Sequence, residues 1–243
     1  PTTLSGSLPR KSESEMTAYF ITGTDTEIGK TFVTCPLLHA VRAKGLTALG
    51  MKPVAAGAEM VKGEFINEDA ARLRAAGSFD PGLALLNPIC LASPIAPHIA
   101  AAEDGVVIEP GKIREAFAAL KKQADVVLVE GVGGFRVPLG EDYDTADLAR
   151  DLGLPVILVV GMRLGCINHA LLTAEAIAAR GLGLAGWVAN QIDPAMLRFD
   201  QNLEALTRRL SAPLLGVVPF QPGGDAAAVA HSLKFPVQPA RTS

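Results

Sequence analysis

The sequence predicts an α/β domain of three layers, with helices on both faces of a mostly parallel central sheet. Short apolar runs rich in Val and Ile alternate with Ala- and Leu-rich stretches of helical periodicity, which is typical of repeated βα units. Aromatic residues fill only 5% of the 243 positions, so Ala, Val, Leu and Ile must build the core, as they do around a buried parallel sheet. This length suits one large domain, and no Pro/Gly/Ser-rich linker divides the interior.

The apolar runs are the predicted strands, and the Ala- and Leu-rich stretches between them are the predicted helices. In chain order, we predict strands over 18–22, 47–54, 126–130, 156–160, 185–190 and 214–218, with a weaker one over 86–91. The predicted helices are 30–44, 68–76, 110–123, 145–152, 168–180 and 196–210. Four of the strands run directly into a polar or glycine-rich turn at their C-terminal ends. Open α/β sheets bind ligands at that edge, so functional residues are expected there.

The predicted domain covers residues 18–220 and has a short segment on either side. Residues 1–17 are rich in Ser, Thr, Glu and Lys and lack an apolar stretch, so we expect a flexible tail rather than a signal peptide. Residues 221–243 are rich in Pro, Gly and Ala and show little pattern. We expect them to extend the same domain.

Charge and cysteine content limit the partners and the compartment. With 22 basic and 25 acidic residues and no basic run, the positive surface of a nucleic-acid-binding protein is missing, so no nucleic-acid partner is expected. The three cysteines are widely spaced and include no C-x-x-C pair, which argues against disulfides and zinc and favours a reducing cytoplasm. The longest apolar run, 155–161, is far shorter than the roughly 20 residues of a membrane span, so no membrane association is expected.

A glycine loop between the first strand and the first helix is the most informative segment. It reads Gly23-Thr-Asp-Thr-Glu-Ile-Gly-Lys-Thr31, with one residue more between its glycines than the usual phosphate-loop pattern. Glycines let the loop N–H groups and the helix N-terminus surround phosphate oxygens. Lys30 would then reach the β- and γ-phosphates, and the Thr31 hydroxyl would bind Mg²⁺. The segment predicts a P-loop NTPase-like domain, the alternative being an ordinary glycine turn that begins a helix.

A dinucleotide-binding sheet is the competing interpretation of the same strand pattern. Its candidate glycine fingerprint, Gly131-Val-Gly-Gly134, would place the third glycine at Arg136, so the match fails. That interpretation also leaves Lys30 and Thr31 without a role, whereas the phosphate-loop interpretation uses both.

Two carboxylates and a second lysine complete the candidate site. Glu130 ends a buried strand, where an acid can meet a metal beside the phosphate loop, although many strands end in an acid for solubility. Asp69 opens a helix, where a carboxylate could simply favour the helix N-terminus. Lys52 lies on an apolar strand, which is costly unless its side chain points out at the edge of the sheet. We expect Lys52 to face the phosphates, the alternative being a lysine that extends along the rim.

Together these motifs resemble one family, the dethiobiotin synthetases, over about residues 19–220. The resemblance rests on Gly-Thr-Asp-Thr-Glu-Ile-Gly-Lys-Thr at 23–31, Lys-Pro-Val-Ala at 52–55, Pro-His at 97–98, Val-Glu-Gly-Val-Gly-Gly at 129–134, Leu-Gly-Cys-Ile-Asn-His-Ala at 164–170 and Ala-Gly-Trp-Val-Ala-Asn at 185–190. The extra residue in the glycine loop is the usual spacing of that family.

The resemblance implies an ATP-dependent ligase of biotin biosynthesis, which converts 7,8-diaminononanoate, CO₂ and ATP into dethiobiotin, ADP and phosphate. It implies that one substrate amine becomes a carbamate, whose oxygen attacks the γ-phosphate to give a carbamic–phosphoric anhydride. The second amine then closes the ring. Mg²⁺ and two lysines would neutralise charge while binding aligns the reacting atoms. The resemblance further implies a homodimer with the active site at its interface.

The resemblance also implies roles for individual residues. Lys52 and Lys30 would be catalytic, and Thr31, Asp69 and Glu130 would hold Mg²⁺. The nucleotide would contact Glu27, Ile28, Gly29, Lys30, Thr31, Phe32, Asp69, Glu130, Gly131, Val132, Gly133, Asn190, Gln191, Pro219, Phe220 and Gln221. The substrate would contact Thr26, Lys52 and Pro94, together with a turn of Leu164, Gly165, Cys166, Ile167 and Asn168 that reaches across the dimer. Ala56 departs from the family pattern, in which a substrate-contacting serine is common.

Two other classes of protein share this kind of sheet. Partitioning-type ATPases, which dimerise and bind DNA or membranes, usually carry an additional lysine early in the glycine loop, where Thr24 and Asp25 stand here. A related amide-forming ligase would normally be attached to a glutaminase domain, for which 243 residues leave no room. Both alternatives are therefore less favoured than the synthetase.

Overall fold

The computed structural model describes residues 17–61, 63–221 and 223–236, which fold around a six-stranded parallel sheet. The strands are β1 Thr17–Gly23, β2 Ala48–Met51, β3 Val54–Ala56, β4 Ala58–Val61, β5 Glu64–Asn67, β6 Ile89–Leu91, β7 Val126–Glu130, β8 Val156–Met162, β9 Leu184–Gln191 and β10 Leu214–Val218. The helices are α1 Lys30–Arg42, α2 Glu68–Ala76, α3 Leu83–Leu86, α4 Pro97–Glu103, α5 Pro110–Lys121, α6 Thr145–Leu152, α7 Cys166–Ala179, α8 Phe199–Arg209 and α9 Ala226–Val229, followed by a 3₁₀-helix over Ala230–Ser232.

The central sheet has the strand order β10-β9-β8-β1-β7-β2, and each neighbouring pair is parallel. Successive side chains of a strand point to opposite faces of the sheet. Phe20 and Val127 accordingly pack with Phe117 of α5 on one face. Ile21 and Leu128 pack with residues of α1 on the other face. Helices cover both faces, so the predicted three-layer α/β architecture is confirmed.

The strands predicted over 47–54 and 86–91 are each wrong in extent. In the first segment, β2 ends at Met51, and the Lys52 N–H donates to the Leu86 carbonyl at 2.7 Å. β3 follows, but it pairs with β6 in a separate two-stranded sheet. Pro53 has no N–H, so the ladder cannot continue through it. In the second segment, α3 occupies the residues up to Leu86, and β6 begins after Pro88.

The six predicted helices are present: α2 and α6 have the predicted bounds, and the other four have shifted ends. α8 begins at Phe199 rather than 196, because Arg198 has φ 58° and a right-handed helix cannot include it. The sequence prediction missed α4 and the antiparallel β4–β5 hairpin. It also missed the α9 helix within 221–243, which packs against α1. The tail predicted over 1–17 lies outside the described residues except for Thr17, which begins β1.

The C-terminal ends of the parallel strands meet at one edge of the sheet, where such sheets bind ligands. β1 leads into the glycine loop, and β7 beside it ends at Glu130. β2 ends one residue before Lys52. The strand order therefore places the loop, the acid and the second lysine together. Within the described residues, no helix is both long and apolar enough to cross a membrane.

Candidate active site

The glycine loop joins β1 to α1 and leaves the N-terminus of α1 without a side-chain cap. Gly29, the residue before α1, has φ 78°, and a Cβ there would lie 2.4 Å from Nδ2 of Asn190. A glycine is thus required for both conformation and space. The first N–H groups of a helix have no partner within the helix, and the helix dipole adds positive potential. The end of α1 is consequently suited to bind an anion such as phosphate.

Lys52 lies between two carboxylates rather than at the rim of the sheet. Its Nζ is 2.7 Å from Oε1 of Glu130 and 2.9 Å from Oδ2 of Asp69. It also donates to the Gly131 carbonyl at 3.3 Å. Lys52 is 3% exposed, and it lines the cleft together with Lys30 at the C-terminal edge of the sheet. Two buried or half-buried carboxylates offset the cost of burying its charge.

Glu130 is fully buried and has a hydrogen-bond donor on each side-chain oxygen. The Thr31 hydroxyl donates to Oε1 at 2.6 Å, and the Thr34 hydroxyl donates to Oε2 at 2.6 Å. A buried carboxylate is tolerated when charge and hydrogen bonds compensate for its lost hydration. Thr34 lies one helical turn after Thr31 on α1, which is why both hydroxyls reach the same carboxylate.

The charges of the cluster are mutually dependent. Burial opposes the charge of Lys52, but Glu130 and Asp69 outweigh burial and raise its pKa above the ordinary value. Burial likewise opposes ionisation of Asp69, yet the ammonium of Lys52 holds the pKa of that carboxyl below its usual range. Lys30 differs, because burial and then the nearby Lys52 lower its pKa to about 8. A bound phosphate anion would favour the charged form of Lys30.

A cleft of about 730 Å³ opens over this cluster. Lys30, Lys52 and Asp69 contribute its charged floor. The remaining lining residues form the walls and mix polar with apolar side chains: Thr26, Glu27, Gly29, Thr31, Phe32, Ala56, Asn67, Arg72, Pro94, Ile95, Ala96, Pro97, Val132, Gly133 and Val137. Such a volume and mixture of polar and apolar groups suit a small-molecule ligand. Ala56 lies in the wall, so the position that departs from the family pattern faces the cleft.

The donor set around Lys52 fits a Mg²⁺ ion. Asp69, Glu130 and Thr31 supply two carboxylates and a hydroxyl, and hard oxygen ligands of this kind suit Mg²⁺, which keeps its other positions for water and phosphate oxygens. The ammonium of Lys52 already occupies a point between the two carboxylates, which shows that the local field favours a cation. Within the described residues there is no cluster of three or more His, Cys, Asp or Glu side chains suited to a metal.

Five of the predicted nucleotide contacts lie at or just after the ends of β9 and β10, outside the lining of the main cleft: Asn190, Gln191, Pro219, Phe220 and Gln221. Asn190 donates through Nδ2 to the Ile28 carbonyl at 2.7 Å, so it also supports the glycine loop. Gln191 accepts a hydrogen bond from the Phe220 N–H at 3.5 Å. That contact brings the segment of Pro219, Phe220 and Gln221 close to the end of β9.

The turn predicted to contact substrate does not line the cleft of its own chain. Gly165 has φ 94° and precedes α7, whereas Cys166 is buried in the core as a small apolar residue. Leu164 is 92% exposed. Thr26 and Pro94, the other predicted substrate contacts, do line the cleft.

Several residues of the cleft and of the charge cluster were not predicted from the sequence. Arg72 of α2 lines the cleft one turn after Asp69, and Thr34 of α1 is buried against Glu130 one turn after Thr31. Helical spacing from the predicted residues could have identified both. Ile95 and Pro97 follow β6, which lies within the weak strand predicted over 86–91, but nothing in that segment indicated that the chain after it lines the cleft.

The loop and its surroundings define a P-loop NTPase: a parallel strand, a glycine loop, and a helix that begins with lysine and threonine. Solved structures share this fold. The MinC:MinD cell division protein complex of Aquifex aeolicus gives a TM-score of 0.55 at 17% identity, covering 88% of this chain and 86% of that one. A ParA family ATPase from Chlorobium tepidum TLS gives 0.55 at 10% identity, covering 89% and 90%. These similarities show the fold alone.

Sequence relatives define the family. A family model described as "AAA domain" matches residues 17–228. The ATP-dependent dethiobiotin synthetase BioD of Aromatoleum aromaticum is 74% identical over 223 residues, which is 92% of this chain and 99% of that protein. The protein of the same name from Xanthomonas euvesicatoria is 55% identical over 219 residues, covering 90% and 98%. The chain belongs to the ATP-dependent dethiobiotin synthetase family, and the resemblance inferred from its motifs is confirmed.

Proposed function

We propose that the chain is a ligase that forms dethiobiotin, ADP and phosphate from 7,8-diaminononanoate, CO₂ and ATP, in biotin biosynthesis. Membership of the synthetase family supports the reaction. The observation that carries the site assignment is Lys52, held between Asp69 and Glu130 beside the glycine loop. Lys30 and Lys52 supply two ammonium groups to the cleft, and Mg²⁺ held beside the carboxylates would add the positive charge that phosphate and carbamate oxygens need.

The proposed nucleotide site begins at the glycine loop. The loop amides and the N-terminus of α1 bind the phosphates, and Lys30 moves from the Asp25 carbonyl, 3.0 Å away, to the terminal phosphates. Thr31, Asp69 and Glu130 would hold Mg²⁺, which when bound neutralises charge on the phosphates. We assign the base of the nucleotide to the end of β9, at Asn190. The position of Asn190 beside the glycine loop supports this assignment.

The proposed reaction needs no protein nucleophile. A carbamate formed from one substrate amine and CO₂ attacks the γ-phosphorus, and ADP leaves. The second amine then attacks the carbamoyl carbon, and phosphate leaves as the ring closes. Lys52 stabilises the negative oxygens in both steps, and the cleft excludes water while it aligns the reacting groups. Thr26 and Pro94 line the cleft beside that lysine.

We also propose that the protein is a cytoplasmic homodimer, with 18–220 as its catalytic domain and 221–243 as an extension. Leu164 is 92% exposed and Leu172, on the following helix, is 57% exposed, and a contact with a partner would remove these side chains from water. The turn from Leu164 to Asn168 would then complete the partner's substrate site. The three cysteines are free thiols, as expected in a reducing compartment.

Two substitutions test the proposed roles. Lys30→Ala should abolish nucleotide turnover, whereas Lys52→Ala should abolish ring closure with a milder loss of nucleotide binding. Emission from the single tryptophan, Trp187, which is fully buried, shows whether each variant is folded. Robust dethiobiotin formation by folded Lys52→Ala protein would contradict the assignment of that lysine. Stimulation of ATP hydrolysis by DNA, and not by diaminononanoate with bicarbonate, would favour the partitioning-type ATPase instead.

A further inference from the structure

An ion pair joins the glycine loop to the end of a neighbouring strand. Arg163, the residue after β8, lies with Nη2 2.6 Å from Oδ2 of Asp25, and the two side chains are 43% and 46% exposed. Neither residue was assigned a role above. We propose that Arg163 and Asp25 are positioning residues, which hold the glycine loop in the conformation that binds the triphosphate. The inference rests on the proposed function only in that the loop binds a nucleotide.

Asp25 orients the loop through three of its oxygens. While Oδ2 accepts from Arg163, Oδ1 accepts from the Thr26 N–H at 2.8 Å. The backbone carbonyl of Asp25 accepts from Nζ of Lys30 at 3.0 Å. Fixing the carboxylate therefore fixes the peptide that follows it, whose carbonyl is the position from which Lys30 moves to the phosphates. Arg163 acts through Asp25 on the backbone of the loop.

The loop needs such tethers because part of its backbone is unfavourable. Glu27 has φ 57°, in the left-handed region that a residue with a side chain rarely adopts. Conformations of this kind persist when the surrounding structure holds them. Here the supports come from the ends of β8 and β9: the Thr24 hydroxyl accepts from the Gly161 N–H at 3.3 Å, and Asn190 donates to the Ile28 carbonyl. The Arg163–Asp25 pair is the charged member of this set.

Half-exposed ion pairs contribute little to global stability, so this pair should act on the loop rather than on the fold. Breaking it would let the loop populate other conformations, and only the fraction in the binding conformation is competent. The expected signature is a loss of nucleotide affinity with an unchanged unfolding transition. A merely structural role predicts the opposite, because affinity would then fall only as the fold weakened.

The structure offers a matched control pair. Arg74 of α2 contacts Asp80, and their side chains are 38% and 48% exposed, close to the exposure of the first pair. Neither residue lines the cleft. Arg74→Gln and Asp80→Asn therefore remove a similar ion pair at a similar exposure and away from the loop.

The test measures binding of a fluorescent ATP analogue, without diaminononanoate, to Arg163→Gln, Asp25→Asn and the double variant, alongside urea unfolding followed by Trp187 emission. We expect each single variant to bind about tenfold more weakly and the double variant to bind about as weakly as either single one. Arg163→Lys, which can keep the ion pair, should stay within about threefold of the wild type. The Arg74 and Asp80 variants should bind normally, and all unfolding midpoints should agree.

Wild-type affinity in both single variants would overturn the inference. Losses of nucleotide affinity that multiply in the double variant would also overturn it, because two independent effects would then be at work. Losses of affinity that follow a fall in the unfolding midpoint would overturn it as well. Because nucleotide binding is measured without turnover, a failure to form dethiobiotin would contradict the proposed function and leave this test intact.

Discussion

Replacing Lys52 with methionine should expose the energetic role of the buried charge cluster. Methionine keeps most of the side-chain stem and removes the ammonium, which leaves Glu130 at 0% exposure with only two hydroxyl donors. Breaking a buried ion pair on one side costs about 3–5 kcal/mol. The loss of the ammonium beside Asp69 adds little to this cost, because the Asp69 side chain is 42% exposed and water replaces much of the lost contact.

We therefore expect Lys52→Met to lower the free energy of unfolding by about 3–5 kcal/mol at pH 7. The two hydroxyl donors that remain on Glu130 hydrogen-bond its oxygens, but they do not neutralise its charge.

Urea unfolding followed by the emission of Trp187 measures this loss. The matched control is Lys112→Met, because Lys112 pairs with Glu109 at 2.6 Å with side chains 58% and 51% exposed, and it should cost less than about 1 kcal/mol. Lys52→Met combined with Glu130→Gln should recover much of the stability, since no unpaired charge is left buried. A Lys52→Met protein as stable as the Lys112 control, or a double variant less stable than both single ones, would refute the reasoning.

Three further substitutions test neighbouring contacts. Gly29→Ala places a Cβ 2.4 Å from Nδ2 of Asn190 at a φ of 78°, and should weaken binding of a fluorescent ATP analogue by at least about tenfold; unchanged affinity would contradict the need for glycine. Thr34→Val leaves Oε2 of Glu130 without its donor and should lower the free energy of unfolding by about 1–3 kcal/mol, measured by urea titration, whereas no change would show that the hydroxyl contributes nothing. Burial raises the pKa of Cys35 to about 12, so the unfolded chain releases this proton first and stability falls as pH rises above 9. Between pH 8 and pH 10 the wild type should lose about 1.4 kcal/mol more than Cys35→Ala, and parallel pH profiles of the two proteins would oppose this.

Local patterns predicted much of this fold because parallel strands and their helices are continuous segments. The continuous apolar runs that identified β1 and β7 are buried on both faces of the sheet, with Phe20 on one face and Ile21 on the other. Errors arose where backbone chemistry interrupts a pattern, as at Pro53, where the chain leaves the central sheet. In the same way, the left-handed conformation of Arg198 makes α8 begin at Phe199, later in the chain than predicted.

The site was predicted less completely than the fold, because its chemistry depends on pairs that are distant in the sequence. Lys52 and Glu130 are 78 positions apart, and nothing near either residue indicates that one neutralises the other. From the sequence, Lys52 was expected to face the phosphates, whereas its two carboxylate partners were not predicted. The link between Arg163 and Asp25, 138 positions apart, was invisible for the same reason.

The most direct measurement of the central claim is the stoichiometry of turnover by the purified protein with MgATP, bicarbonate and 7,8-diaminononanoate. The proposed function predicts one ADP and one phosphate for each dethiobiotin formed, and negligible ATP hydrolysis when the diamine is omitted. ATP hydrolysis at the same rate with and without the diamine, with no dethiobiotin formed, would contradict it.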